Sequence, residues 1–97
     1  MQDLEVQLAA LNELKSFLEQ FKEEMRDKSV EFMSRFGGIR ESGLHVQFAE
    51  NYEANYADPA LQNIRNLIAD ITDRHLPYVN SIIAQAEKYL EQSRMGS

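Results

Sequence analysis

Phe36-Gly37-Gly38 separates a long helical pattern from a short aromatic one, so this segment marks the place where the chain is expected to turn. Before it, apolar residues recur every three or four positions, which predicts a helix over about residues 3–36. Two adjacent glycines can adopt positive φ without a Cβ clash, as the end of a helix requires. We therefore predict a turn over residues 37–43, with Phe36 as its apolar plug and Gly37 and Gly38 as its hinge.

The first predicted helix carries an apolar stripe that repeats every seven residues, with further apolar residues between the repeats. The residues of this stripe are Leu4, Leu11, Leu14, Leu18, Phe21, Met25 and Phe32. Leu8 and Phe17 widen it, which suits a helix bundle better than a strict two-stranded coiled coil. One facing helix cannot cover so wide a stripe, so two interpretations stay open: ordinary core, or a surface on which a partner docks.

The segment after the turn predicts a short helix over about residues 44–57. Ser42 is a candidate N-cap, and Leu44, Phe48, Tyr52 and Tyr56 follow at four-residue intervals. Such an aromatic stripe is usually core. The pair Asp58-Pro59 predicts a break or a kink at Ala57-Asp58, because a residue before proline is disfavoured in the α region.

A second long helix is predicted over about residues 59–93, from an apolar pattern of helical period that includes Leu61, Ile64 and Ile71. Pro77 interrupts this pattern, because proline lacks an N–H and crowds the carbonyl of Asp73. A bend is favoured over a break near His75-Leu76, since the apolar pattern continues beyond the proline. The predicted fold is thus an all-α helix-turn-helix hairpin whose second arm is kinked or split.

The composition limits the classes of function. Ninety-seven residues predict a single domain over 1–97, and a net charge of -6 argues against nucleic-acid or anionic-membrane binding. The chain has no cysteine and hence no thiolate metal site. It has neither an apolar run of transmembrane length nor an N-terminal signal region, so we expect no membrane insertion and no cleaved signal peptide.

No catalytic or metal-ligating motif stands out in the sequence. His45 and His75 are thirty residues apart, and neither has the spacing to other ligands that zinc or di-iron sites use. Serines occur without a nucleophile elbow, and Gly37-Gly38 lacks the lysine of a phosphate-binding loop. We therefore expect a protein without catalytic residues, without a metal and without a cofactor, and not an enzyme.

The segment Phe36-Gly37-Gly38, followed by Leu44 and Phe48, resembles the Trp-x-Gly turn of the small early-secreted-antigen (WXG) proteins. Residues 60–64 resemble a segment at a comparable distance after the turn in that family. Here Phe36 stands in place of the family's tryptophan, and Tyr89 is followed four residues later by Ser93, where the family's export signal has an acid. The resemblance implies a substrate or escort of a type VII-like secretion system, and antiparallel pairing of such hairpins into four-helix bundles.

The expected partner is therefore a second copy of the chain or a related helical hairpin, and possibly a secreted effector. The predicted partner interface consists of Leu4, Leu11, Leu18, Phe21, Met25, Phe32, Phe48, Ile64 and Ile71. The expected location is outside the cell without a cleaved signal peptide, or the cytoplasm before export. The alternative function is a cytoplasmic helical adaptor or chaperone whose apolar stripe holds a partner helix.

Overall fold

A computed structural model describes residues Asp3–Met95, and this range is helical apart from a connection over residues 42–45, which confirms the all-α class. The four terminal positions of the predicted 1–97 domain lie outside it. The helices are α1 (Asp3–Glu41), α2 (Val46–Tyr52), α3 (Asp58–Asp70) and α4 (Leu76–Met95). Two π-helical turns, Glu53–Ala57 and Ile71–His75, join α2 to α3 and α3 to α4.

The predicted turn at Phe36, Gly37 and Gly38 is wrong, because α1 runs through these residues and ends at Glu41. Positive φ occurs instead at Gly43, whose φ is 132°. A helix interior tolerates glycine at a modest cost, whereas a φ in this range is strained for any residue with a Cβ. The residue that needs to be glycine is therefore Gly43, and the predicted helix 3–36 is too short at its C-terminal end.

Hydrogen bonds around the connection between α1 and α2 explain why α1 ends here. The Ser42 N–H donates to the carbonyls of Gly38 and Ile39, both at 3.1 Å, and its hydroxyl donates to Ile39 at 2.8 Å. Ser42 therefore completes the end of α1, and the prediction that it caps the following helix is wrong. His45 caps α2 instead, since its Nδ1 accepts a hydrogen bond from the Gln47 N–H at 3.2 Å.

Each proline of the chain directly follows the residue after a π-helical turn. The N–H of Asp58, next to Pro59, donates to the carbonyl of Glu53, and the N–H of Leu76, next to Pro77, donates to Ile71. These bonds span five residues rather than four, so each turn is widened where the proline ring would crowd the carbonyl four residues back. The chain thus stays helical through both prolines.

The predicted break at Asp58 is therefore wrong, as is the alternative that the second arm splits near His75. Both Asp58 and Leu76 have α-helical dihedral angles, with ψ of -45°. At the second turn the spacing of the packed residues changes from three or four to five, between Ile71 and Leu76. At the first turn Tyr52 and Ala57 are also five residues apart, and the half-buried Glu53 follows Tyr52 directly. The packed face is kept across each proline because one extra residue is accommodated there.

The described chain divides into two compact units. The first unit contains the residues up to Phe21 together with those from Asp70 on, and the second unit contains Lys22–Ala69. In the first unit the start of α1 lies beside the end of α4: Glu5 and Arg94 are 3.9 Å apart, and Leu4 and Leu90 line one small groove. The two segments therefore run antiparallel.

In the second unit the end of α1 packs on α2, the first π turn and α3. The rings of Phe36 and Tyr52 are 5.3 Å apart, and Arg40 forms an ion pair with Glu53. Ala49, Ala57 and Leu61 are buried. Small side chains at Ala49 and Ala57 permit a close approach of the backbones, so the larger aromatic side chains of α2 lie toward the edge of this contact.

Within residues 3–95, each helix is either too short or too polar to span a lipid bilayer.

Glycine-to-alanine substitutions test where the chain turns. Gly43→Ala should lower the free energy of unfolding by about 1–3 kcal/mol, because alanine is strained at a φ of 132°. Gly38→Ala is the matched control and should raise it by about 0.5–1 kcal/mol, since glycine weakens a helix interior and an added Cβ would meet nothing within 4 Å. Urea denaturation at one fixed protein concentration measures both. If Gly38→Ala destabilised the protein and Gly43→Ala had no effect, the turn would lie at residues 36–38 instead.

Candidate functional site

The structure places the predicted interface residues in three environments: buried, half-buried and exposed. Ile71 is buried, and Phe32 and Phe48 are exposed. The half-buried members are Leu4, Leu11, Leu18, Phe21, Met25 and Ile64. Most of the predicted interface residues thus pack within the chain. Only a part of the predicted interface belongs to the exposed apolar surface.

None of the 39 residues of α1 is buried, although apolar residues recur along its whole length. Apolar side chains on its outer faces are open to solvent, among them Val6, Phe17 and Val30 at 62%, 58% and 59% exposure. In each unit the segments that pack on α1 cover one side of the helix and leave these residues in water. Phe17 flanks the predicted stripe, whereas Val6 and Val30 lie outside its heptad pattern.

An apolar groove of about 570 Å³ lies on the second unit, between the end of α1 and the segment that follows it. We refer to it as the aromatic groove. Its apolar residues are Phe32, Phe36, Ile39, Leu44, Phe48 and Tyr52. Phe32 and Phe48 belong to the predicted partner interface, whereas Phe36 was predicted as the plug of a turn. Ile39 was not predicted as a surface residue, because the turn was placed before it.

The rings of the aromatic groove form a connected row. Phe32 and Phe36 stack with 6.3 Å between centroids, and Phe48 and Tyr52 stack at the same distance. The tilted contact between Phe36 and Tyr52, at 5.3 Å, joins the two pairs across the helices. Tyr52 also stacks on Tyr56 at 6.0 Å, so Tyr52 is the centre of the row. Spacing at three to four residues on each helix brings these rings onto one surface.

The edge of the aromatic groove is charged. Glu31 contacts Lys28 through Oε2 and Arg35 through Oε1, both at 3.3 Å. One carboxylate is thus shared by two cations, which leaves this edge with a net positive charge in a chain of net charge -6. Lys28 and Arg35 are largely solvent-exposed, with side-chain exposures of 77% and 78%, so both can reach a ligand in the groove.

The two histidines take structural positions. His45 caps α2, and His75 Nε2 lies 3.0 Å from Asp70 Oδ2, while Arg74 contacts the other oxygen of Asp70 at 3.2 Å. His75 is exposed. Among the residues that the structure describes, no three His, Asp or Glu side chains are grouped so that they could hold a metal ion.

The residues that carry the resemblance to WXG proteins agree only in part with the prediction: residues 36–38 are helical and form no turn, whereas residues 60–64 lie in a helix, as predicted. Phe36, Gly37 and Gly38 belong to the last turns of α1, and the segment 60–64 belongs to α3. Comparison of the chain with protein-family models, with curated proteins and with solved structures gave no match. Membership of the WXG family therefore stays a prediction.

A double-mutant cycle tests whether the ring contact between Phe36 and Tyr52 holds α1 on α2. Phe36→Leu and Tyr52→Leu should couple by about 0.5–1.5 kcal/mol in the free energy of unfolding, as tilted aromatic pairs do. Phe36→Leu with Val30→Ala is the control cycle. Val30 lies roughly 9 Å along the helix axis from Phe36, so these two changes should add within about 0.5 kcal/mol. Equal coupling in both cycles would show that the ring contact has no specific role.

Proposed function

We propose that this protein is a non-enzymatic helical hairpin that acts by pairing with a second helical hairpin, a copy of itself or a relative, to form a four-helix bundle. The observation that carries the proposal is the absence of any buried residue in α1 despite its continuous apolar pattern. Exposed apolar surface of this extent is typical of a protein that has a partner.

The first unit offers a suitable face for such pairing. On α1, Val6 and Phe17 are eleven residues apart, and on α4 Tyr78 and Tyr89 have the same spacing, so each pair occupies one side of its helix. Tyr78 and Tyr89 are 67% and 64% exposed. Phe17 immediately precedes the half-buried Leu18, and both tyrosines likewise precede packed residues. When two antiparallel helices pack side by side, the residue directly before a packed residue points to the same side of the pair on both helices.

These four residues therefore form one apolar face, which we call the α1–α4 face. If two copies met through this face about a two-fold axis, their α1 and α4 segments would form four helices around a shared core. Aromatic side chains are favoured in such interfaces because they bury a large area with few rotatable bonds.

The resemblance to WXG proteins supplies a biological setting for this pairing: export through a type VII-like system, or escort of an exported effector. The length of the chain, its acidity and its succession of helices support this setting. The proposal does not depend on Phe36-Gly37-Gly38 forming the turn, since pairing uses the sides of the helices.

Thermal unfolding at several protein concentrations tests the pairing. The melting temperature of the wild-type chain should rise with concentration, because association stabilises the folded state by mass action. Phe17→Glu should abolish this dependence, since it places a charge in the α1–α4 face. Ser16→Glu adds the same charge at an exposed neighbouring position on another side of α1 and should leave the dependence intact. A sharp melt that is independent of concentration in the wild type would contradict the proposal.

A secretion assay tests the setting separately. In a host that carries a type VII-like system, epitope-tagged chain should accumulate in the medium and should remain in the cells when the membrane ATPase of that system is deleted. A cytosolic marker protein controls for lysis. Equal amounts of tagged chain in both media, or none in either, would contradict export and leave the pairing proposal to its own test.

A further inference from the structure

We propose that the aromatic groove of the second unit is a docking site for an acidic amphipathic helix of a partner protein. This surface is separate from the α1–α4 face, whose residues belong to the first unit. The proposal goes beyond pairing, because it gives the protein a second and chemically different partner.

The shape of the groove favours a helix. Two helical segments that pack side by side leave a trough between them, and a third helix fills such a trough with apolar residues at every third or fourth position. The connected rings of Phe36, Phe48 and Tyr52 supply a continuous apolar floor for these residues. The length of chain around the groove, from Lys28 to Tyr52, provides rings and aliphatic side chains along more than one helical turn.

The exposure of the groove argues against a small ligand. Phe48 and Ile39 are 57% and 56% exposed, and Phe32 is 39% exposed. Sites for small molecules usually enclose about 70–90% of the ligand, which an open floor of this kind cannot do. An amphipathic helix, in contrast, has a polar side that stays hydrated, and only its apolar face has to be buried in the groove.

The charge at the edge specifies an acidic partner. Lys28 donates one of its three N–H groups to Glu31. The Nε of Arg35 lies at ion-pair distance from the same carboxylate, and the two terminal nitrogens of this guanidinium carry four further N–H donors. A carboxylate that approaches from the groove can bind these remaining donors, and Glu31 repels it less than the two cations attract it. An acidic residue beside the apolar edge of the partner helix would therefore fix its position and direction.

Selection from a displayed library of helical peptides tests the proposal with the full-length chain as bait. We expect the enriched peptides to carry large apolar residues at helical spacing and an excess of Asp and Glu over Lys and Arg. Enriched peptides without an acidic excess, or no enrichment over several rounds, would overturn the proposal.

Variants then locate the site by fluorescence anisotropy with one enriched peptide. Phe48→Glu should weaken binding at least about tenfold, because it removes an anchor and places a charge on the groove floor. Lys28→Glu combined with Arg35→Glu should weaken it by about tenfold and should reverse the preference between this peptide and a version with Lys in place of its acids. Phe17→Glu, on the other unit, should leave the affinity unchanged.

Circular dichroism of each variant checks that its helix content equals that of the wild type. Phe48→Leu keeps an apolar anchor in the groove and should retain most of the binding. Unchanged affinity in Phe48→Glu would place the peptide elsewhere and overturn the proposal. So would displacement of the peptide by dodecanoate at concentrations below micelle formation, which would make the groove a site for an anionic amphiphile instead.

Discussion

The helix α1 has 39 residues and apolar side chains on more than one side, and within each unit later segments of the chain pack on one side of it only. The packed side is half-buried, and the neighbouring side keeps Val6, Phe17 and Ile39 in water. Hydrophobic burial supplies most of the free energy of folding, so a helix of this kind is only partly stabilised by its own chain. Association and docking are both consequences of that incomplete burial.

The later part of the chain has a different constraint, because it is helical although it contains two prolines. At Pro59 and Pro77 a π-helical turn inserts one residue, relieves the crowded carbonyl and keeps the packed face aligned with α1. The same geometry allows Asp70 to contact both Arg74 and His75, four and five residues later. Polar contacts thus reinforce the widened turn from its outer side.

The helical period predicted the fold class and the approximate extent of both long helical regions, because α1 and α4 have sustained apolar patterns. It misplaced the turn, since glycine pairs can lie inside a helix and no local pattern distinguishes Gly43, which has positive φ, from Gly37 and Gly38. The five-residue steps from Tyr52 to Ala57 and from Ile71 to Leu76 are present in the sequence and, with a proline two or one residue later, could have indicated the π turns. The charged edge of the aromatic groove could not be predicted, because Lys28, Glu31 and Arg35 gain their relation to Phe48 only through packing between helices.

Sedimentation equilibrium of the purified protein tests whether a second chain buries the uncovered side of α1. At micromolar concentration we expect a mass of twice 11.2 kDa that falls toward 11.2 kDa on dilution or in Phe17→Glu. A wild-type mass of 11.2 kDa at every concentration, from a chain that is fully helical and unfolds cooperatively, would contradict it.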